Sequence, residues 1–408
     1  MRHQSLNIGL HKSKAALPRI VALFGPRVFF GQERANVEAL ASLHAQGCEV
    51  LCAVRHENWT ELVELRNELS ARGLSWKKFH YIDIPRKGWI LRTVLRNPYA
   101  FVRANMEMIS TIRRFRASHI HAFNPFYFLN FLPAIIFSRV PIVYRCGDEP
   151  AQHNRLWRFI WKSICKRADH FVADSKFIRD RLLLFNINPQ KVSIIYSPAP
   201  QRPRAAGAEI PESTRSDKAF RFMYAGQLTP EKGADVLVEA FSRICTKFTC
   251  SHLLIAGRIS DWSGDDWARA LRDRVASDRD LLHRAHFLGW VENVPDLMRQ
   301  CHVHVCPSMW EEPYGLVVVE AKSAGVPSIV FPSGGLKELI EHGVNGWITR
   351  SKTADELSDA LEYYLRNPEI AKEQGRNARK SLDALQLASF SERWLGVYRQ
   401  TEALRRGK

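Results

Sequence analysis

Short, continuous apolar runs alternate with longer stretches of helical period along most of the chain. Arg19-Ile-Val-Ala-Leu-Phe24 is the first run, apolar at every position after Arg19 and so expected as a strand covered on both faces of a parallel sheet. Gly25-Pro26 ends it, and Ala35 to Gln46 has the spacing of a crossover helix. The alternation continues with Cys48–Val54 as a strand, 58–73 as a helix, and Lys78–Ile84, His119–Phe123 and Pro141–Asp148 as further strands. Phe126 to Phe137 is very apolar but contains Asn130 and Pro133. It is too short to cross a bilayer and fits a buried crossover helix. Phe171–Ser175 and Val192–Tyr196 complete the series. This order predicts an α/β fold with a parallel sheet and right-handed crossovers.

From Ser197 to about Asp217 the pattern lapses into a Pro- and Ala-rich linker, and a second series follows. Its strands are expected at Phe220–Gly226, Leu253–Gly257, Ala285–Val291, His302–Cys306 and Val326–Phe331. Helices are expected at Ala234–Lys247, from about Gly315 to Ala324, and over 353–366 and 368–383. Phe390, Trp394, Leu395 and Tyr398 lie at near-helical spacing in a last helix. A chain of 408 residues exceeds one ordinary core. The expected division is a basic leader at 1–18, a Rossmann-like domain at 19–205, a second at 206–388 and a terminal helix at 389–408.

Charge narrows the partners. With 59 Lys and Arg against 42 Asp and Glu, the formal charge is +17, which calls for an anionic partner: a phosphorylated substrate, a nucleic acid or an acidic membrane. Between Arg86 and Arg116 many basic residues lie beside Trp89, Leu91, Tyr99 and Val102, with Glu107 as the only acid. Two meanings stay open there, a helix on an anionic membrane interface or a solvated basic face over a core stripe. No zinc finger, helix-turn-helix or RNP-like strand supports nucleic acid. Eight cysteines without a C-x-x-C pair suggest buried free thiols in a reducing compartment. The N-terminal residues form no apolar signal core, so the expected location is cytoplasmic, with peripheral contact to the inner face of the cytoplasmic membrane.

Candidate chemistry gathers in Pro307–Gly325. Glu312 lies in the turn before a helix and Glu320 inside it, a spacing worth about 12 Å of helix axis. That is about the distance from the sugar to the ribose of a nucleotide sugar. The first-turn N–H groups between them suit a diphosphate. Glu312-Pro-Tyr-Gly-Leu-Val-Val-Val-Glu320 resembles the E-x7-E motif of family-4 retaining glycosyltransferases. His286–Val291, Pro307-Ser308, Ala324–Ser328 and Gly334-Gly335 are similar to that family's second domain.

The resemblance implies a GT-B fold, with two Rossmann-like domains facing a central cleft and a C-terminal helix returning to the N-terminal domain. It implies a UDP- or GDP-sugar donor and transfer with retention. The basic, aromatic first domain favours a glycan or lipid-linked acceptor such as lipopolysaccharide core. No D-x-D triad stands out, and the helix end and Lys232 can carry the charge, so no metal or cofactor is expected. Glu312 and Lys232 carry the implied catalytic roles. The implied donor site comprises Gly31, Gln227, Lys232, Val291, Glu312, Pro313, Tyr314, Gly315, Leu316, Val317 and Glu320. Asn124, Arg145 and Asp148 are acceptor-side candidates.

Two departures stand out. Gln227 replaces an arginine beside Lys232, and Gly147 stands where many relatives have a histidine; Arg258 is a candidate for the missing charge. A sugar-nucleotide epimerase of the same fold, and a non-catalytic basic module for anionic lipid or RNA, are the competing readings.

Overall fold

The structure, a computed structural model, describes residues 16–25, 29, 31–57, 60–81, 97–150, 155–199, 210–257, 265–385 and 387–406. Seven strands form the first sheet: β1 (Arg19–Phe24), β2 (Glu49–Arg55), β3 (Ser75–Phe79), β4 (His119–Ala122), β5 (Ile142–Cys146), β6 (His170–Ala173) and β7 (Val192–Ile194). Their order is β3-β2-β1-β4-β5-β6-β7. The second sheet contains β8 (Phe220–Ala225), β9 (Ser251–Ala256), β10 (Ala285–Gly289), β11 (Val303–Cys306), β12 (Ser328–Val330) and β13 (Gly346–Ile348), ordered β10-β9-β8-β11-β12-β13. Neighbouring strands pair in parallel, Ile20 facing Val50 on one side and His119 on the other. Each sheet reverses its order once, between β1 and β4 and between β8 and β11. In open α/β sheets ligands bind outside the strands' carboxyl ends at such switch points.

Burial explains the strands. Ile20 to Phe24 are all buried in the first core, because helices cover both faces of the sheet. The helix Phe390–Arg406 packs on the first domain, where Trp394 and Tyr398 are fully buried. His121 bonds Tyr398 Oη at 2.7 Å and Asn36 Oδ1 at 2.8 Å, and His119 Nε2 lies 3.0 Å from Thr401 Oγ1. Both histidines are thus packing residues. Burial, with Arg145 adding to it, takes His121 down to about 3, so it stays neutral in its polar bonds.

Several expectations need correcting. The third strand begins at Ser75, three residues before Lys78, and ends at Phe79, in register with Leu51–Arg55; of the expected span, 82–84 lie outside the described residues. The first helix begins at Gly31, four residues before Ala35. The single crossover helix over 126–137 is two, Pro125–Asn130 and Leu132–Ser138, each with proline in its first turn. Its last residues, Ile136 and Phe137, are exposed rather than buried. The helix expected to 383 stops at Lys380 and tightens into a 3₁₀ turn over Ser381–Leu385. Of the eight cysteines, Cys250 is exposed and Cys165 half-buried. Residues 1–15, most of Arg86–Asn97, 200–209 and Arg258 lie outside the described residues.

The domains meet along a partly buried seam. Glu338, from the helix Leu336–Leu339 of the second domain, accepts the backbone N–H groups of Lys176 (2.8 Å) and Phe177 (2.7 Å) and the hydroxyl of Tyr196 (2.9 Å). It therefore caps the N-terminus of the first domain's helix Lys176–Leu183 with a negative charge. Tyr314 stacks on Tyr196 with ring centroids 5.8 Å apart and donates to Ser197 O at 2.9 Å. An amide at 338 would turn an NH₂ toward one of these donors. Glu338→Gln is accordingly expected to cost about 1–2 kcal/mol, read as a lower melting temperature in a calorimetric scan.

Candidate active site

A cleft of about 620 Å³ lies between the carboxyl ends of the two sheets. Its second-domain wall begins where β8 ends at Ala225. Gly226 and Gln227 follow, and the 3₁₀ turn Pro230–Lys232 closes on Gly233. Gly233 has φ +69°, and a Cβ there would lie 2.0 Å from Pro307 O. Only glycine permits that approach, which sets Lys232 against the loop after β11. Lys232 Nζ reaches Glu312 Oε1 at 2.6 Å and lies 4.9 Å from the Trp310 ring centroid.

Ser308 Oγ donates to the same Glu312 oxygen. Burial alone would raise the Glu312 carboxyl, but the Lys232 ammonium and the Ser308 and Trp310 hydrogen bonds outweigh it and hold the group below its ordinary range. Its main chain is clasped as well: Gly335 N donates to Glu312 O at 2.7 Å, and a Cβ on Gly334 would come within 2.2 Å of that oxygen. Lys232 and Glu312, to which the resemblance gives the catalytic roles, are therefore bonded to each other.

Gly315, at φ +102°, turns the chain into the helix Leu316–Ala324. Gly325, at φ +75°, ends it, with Gly325 N and Val326 N bonded to Lys322 O and Ala321 O. Gly315, Leu316, Val317 and Glu320 line the cleft, with Glu320 half-buried. Pro313 and Tyr314 also line it, yet their polar groups serve the domain seam, since Pro313 O accepts from Ser175 Oγ. Gln227 contributes its carbonyl to Tyr224 Oη at 2.7 Å. Val291 and Trp290 form the edge near β10, where Arg34 of the first domain lies 5.9 Å from the Trp290 ring centroid.

On the first-domain wall, Gly31 opens its helix into free space, a Cβ there meeting no atom within 4 Å. Asn124 Oδ1 caps the helix Pro125–Asn130 by accepting Phe126 N at 2.9 Å. Arg145 is buried and holds Asp174 at 2.7 Å and Ser197 Oγ at 3.2 Å. Burial pushes Asp174 up to about 6 against the pull of Arg145. A side chain at Gly147 would meet Asp174 Oδ2 at 3.0 Å, Gln32 Cγ at 3.3 Å and Arg145 Nη1 at 3.4 Å, so this ion pair occupies the room of the missing histidine. Solvent reaches Asp148 through the open cleft, yet enclosure by the walls still raises its carboxyl, opposed by Arg145 and Lys232.

The cleft thus gathers every site residue expected from the sequence. Ser308, Trp310 and Asp174 were missed in those roles. Among the described residues no group of three or more His, Cys, Asp or Glu is arranged to hold a metal.

The chain matches the family described as "Glycosyl transferases group 1" over residues 207–381 and "Glycosyltransferase Family 4" over 30–199. Each match covers less than half of the chain; with them, the fold makes the chain similar to the GT-B glycosyltransferases. It is 31% identical over 166 residues to the putative glycosyltransferase YtcC of Bacillus subtilis, 40% of each chain. The chain spans 40% of that protein's length and 57% of that of an uncharacterized glycosyltransferase of Methanocaldococcus jannaschii, about half of the curated relatives it matches. The crystal structure of Anabaena Alr3699/HepE in complex with UDP and glucose superposes with a TM-score of 0.72 at 17% identity, covering 96% of this chain and all of that one. WaaG, a glycosyltransferase involved in lipopolysaccharide biosynthesis, gives 0.64 at 16% identity, covering 93% and 99%.

Proposed function

We propose that the protein moves a sugar from a nucleoside-diphosphate donor to a hydroxyl of a phosphate-bearing or lipid-linked glycan, with retention at the anomeric carbon. The observation that carries this reading is the convergence of Lys232, Glu312 and the start of the helix Leu316–Ala324 on the cleft at the switch point. An ammonium has three donors. One goes to Glu312, which leaves others for the diphosphate, while the first-turn N–H groups supply further positive potential.

Glu320, eight residues from Glu312, takes the ribose hydroxyls, and Glu312 the sugar hydroxyls. The bond from anomeric carbon to diphosphate oxygen breaks as the acceptor oxygen adds on the same face. The acceptor's proton passes to the departing diphosphate, so no side-chain base is required. Charge on the leaving group is met by Lys232. The UDP in the HepE complex supports UDP-sugars as the first donors to try.

The test is thermal stabilisation by a panel of nucleotide sugars, followed by NMR of the product. A ligand at a hundred times its Kd adds about 2.7 kcal/mol. UDP- or GDP-sugars should raise the melting temperature, and the product should keep the donor's anomeric configuration. An inverted product would remove retention, and conversion of donor without acceptor would favour epimerisation.

A further inference from the structure

A second surface, outside the cleft, has the chemistry of a membrane contact. The crossovers into β4, β5 and β6 step along the first sheet in one direction, so right-handed connection puts their helices on one face. These are Pro98–Phe115, Leu132–Ser138 and Arg155–Arg167. They are tied together: Asn105 donates to Asn130 O and accepts from Ala134 N, and Arg167 Nη2 donates to Ile135 O.

Their outer side carries Tyr99, Val102, Met106, Ile136, Phe137 and Phe159, each 52 to 75% exposed. So much adjoining apolar surface is unusual in a protein that meets only water. Among them stand exposed Arg103, Arg139, Arg155, Arg158, Lys162 and Lys166. Glu107 is the only acid in the three helices, and Lys77 pairs with it at 3.0 Å.

We infer that this helical face docks on an anionic phospholipid bilayer, its aromatic and aliphatic side chains entering the headgroup boundary and its Arg and Lys residues meeting lipid phosphates. Charge selects this occupant: a second copy would oppose one basic face to another, whereas an anionic leaflet complements it. Phe126 connects the surface to the cleft, lining it while packing edge-on against Trp157 with centroids 5.2 Å apart. Docked this way, the cleft rim lies beside the leaflet, where a lipid-borne acceptor could enter. That corollary rests on the proposed transfer, but the docking does not.

The experiment is co-sedimentation of the full chain with vesicles of phosphatidylcholine alone or mixed with phosphatidylglycerol. Binding is expected only to the mixed vesicles. A Phe137→Glu/Phe159→Glu variant should lose at least about tenfold in bound fraction, because a carboxylate now opposes both insertion and the anionic surface. Its melting temperature and its stabilisation by nucleotide should match wild type, separating a failure of docking from a failure of the donor site. Three results would overturn the inference: no binding by wild type, binding that the double variant retains, or a wild-type dimer that the same substitutions split.

Discussion

Lys232→Ala is expected to lower kcat by about 10²–10³-fold with the circular dichroism spectrum unchanged. The size follows from what surrounds this ammonium. Gln227 stands where the family resemblance has an arginine, and a side-chain amide carries no positive charge. In the proposed transfer Lys232 would therefore carry a larger share of the charge that a departing diphosphate develops. The group is partly enclosed, with a quarter of its side chain exposed and Trp310 beside it, and in such a site a charge is screened less than in water. Because the missing interaction strengthens as the leaving group departs, kcat should fall more than KM rises. Lys232→Arg should recover part of the loss, since it restores charge but not the ammonium's compact reach. Single-turnover measurements on saturating donor would check the split, and a variant with near-normal kcat would remove Lys232 from leaving-group stabilisation.

That variant has a second consequence inside the protein. Without Lys232, Glu312 keeps the Ser308 and Trp310 side-chain hydrogen bonds but loses its opposing charge, and burial would then raise its carboxyl. In the proposed transfer the pair would couple the diphosphate position to the sugar position. A donor that draws the ammonium toward its phosphates changes the charge balance at Glu312 just as the sugar arrives.

Much of this arrangement was legible in the chain because it is local. The apolar runs at Ile20–Phe24 and Leu253–Ala256 are strands since both faces are covered, and a run of that kind needs no tertiary knowledge. The segment Glu312–Glu320 is likewise readable, as its turn glycine and helix are neighbours in sequence. Long-range partners were not. Nothing near Glu312 signals that Lys232, 80 residues away, will meet it, or that Gly334 must be glycine to let Glu312 O approach.

The third strand was misplaced for a related reason. Ser75–Phe79 lies at a sheet edge, with Ser75, Lys77 and Lys78 exposed and Trp76 half-buried before the buried Phe79, so its apolar signal is weak and only pairing with β2 reveals it. The break at Phe131 is signalled in the sequence by Pro133, which sits in the first turn of a new helix. The exposed Phe137 ran against the assumption that an apolar run is interior.

The largest stability effect should come from the first-domain wall. Arg145 is among the acceptor-side candidates, yet its guanidinium is turned into the protein. It holds Asp174 at 2.7 Å and Ser197 at 3.2 Å, with only about 1% of the residue exposed. Burial already pushes Asp174 up to about 6, and the opposing Arg145 charge keeps it from rising further. Removing the arginine strands a carboxylate in a low-dielectric interior, whereas replacing both partners by apolar groups of similar size removes the desolvation cost along with the attraction. Arg145→Met should therefore lose about 3–5 kcal/mol, and Arg145→Met/Asp174→Leu should recover most of it. Urea denaturation reads both, as midpoint shifts at constant m-value. If Arg145→Met instead unfolds at the wild-type midpoint while losing transfer to acceptor, the guanidinium serves the acceptor rather than the wall. The carboxyl ends of β5 and β6 would then belong to the reaction and not to its scaffold.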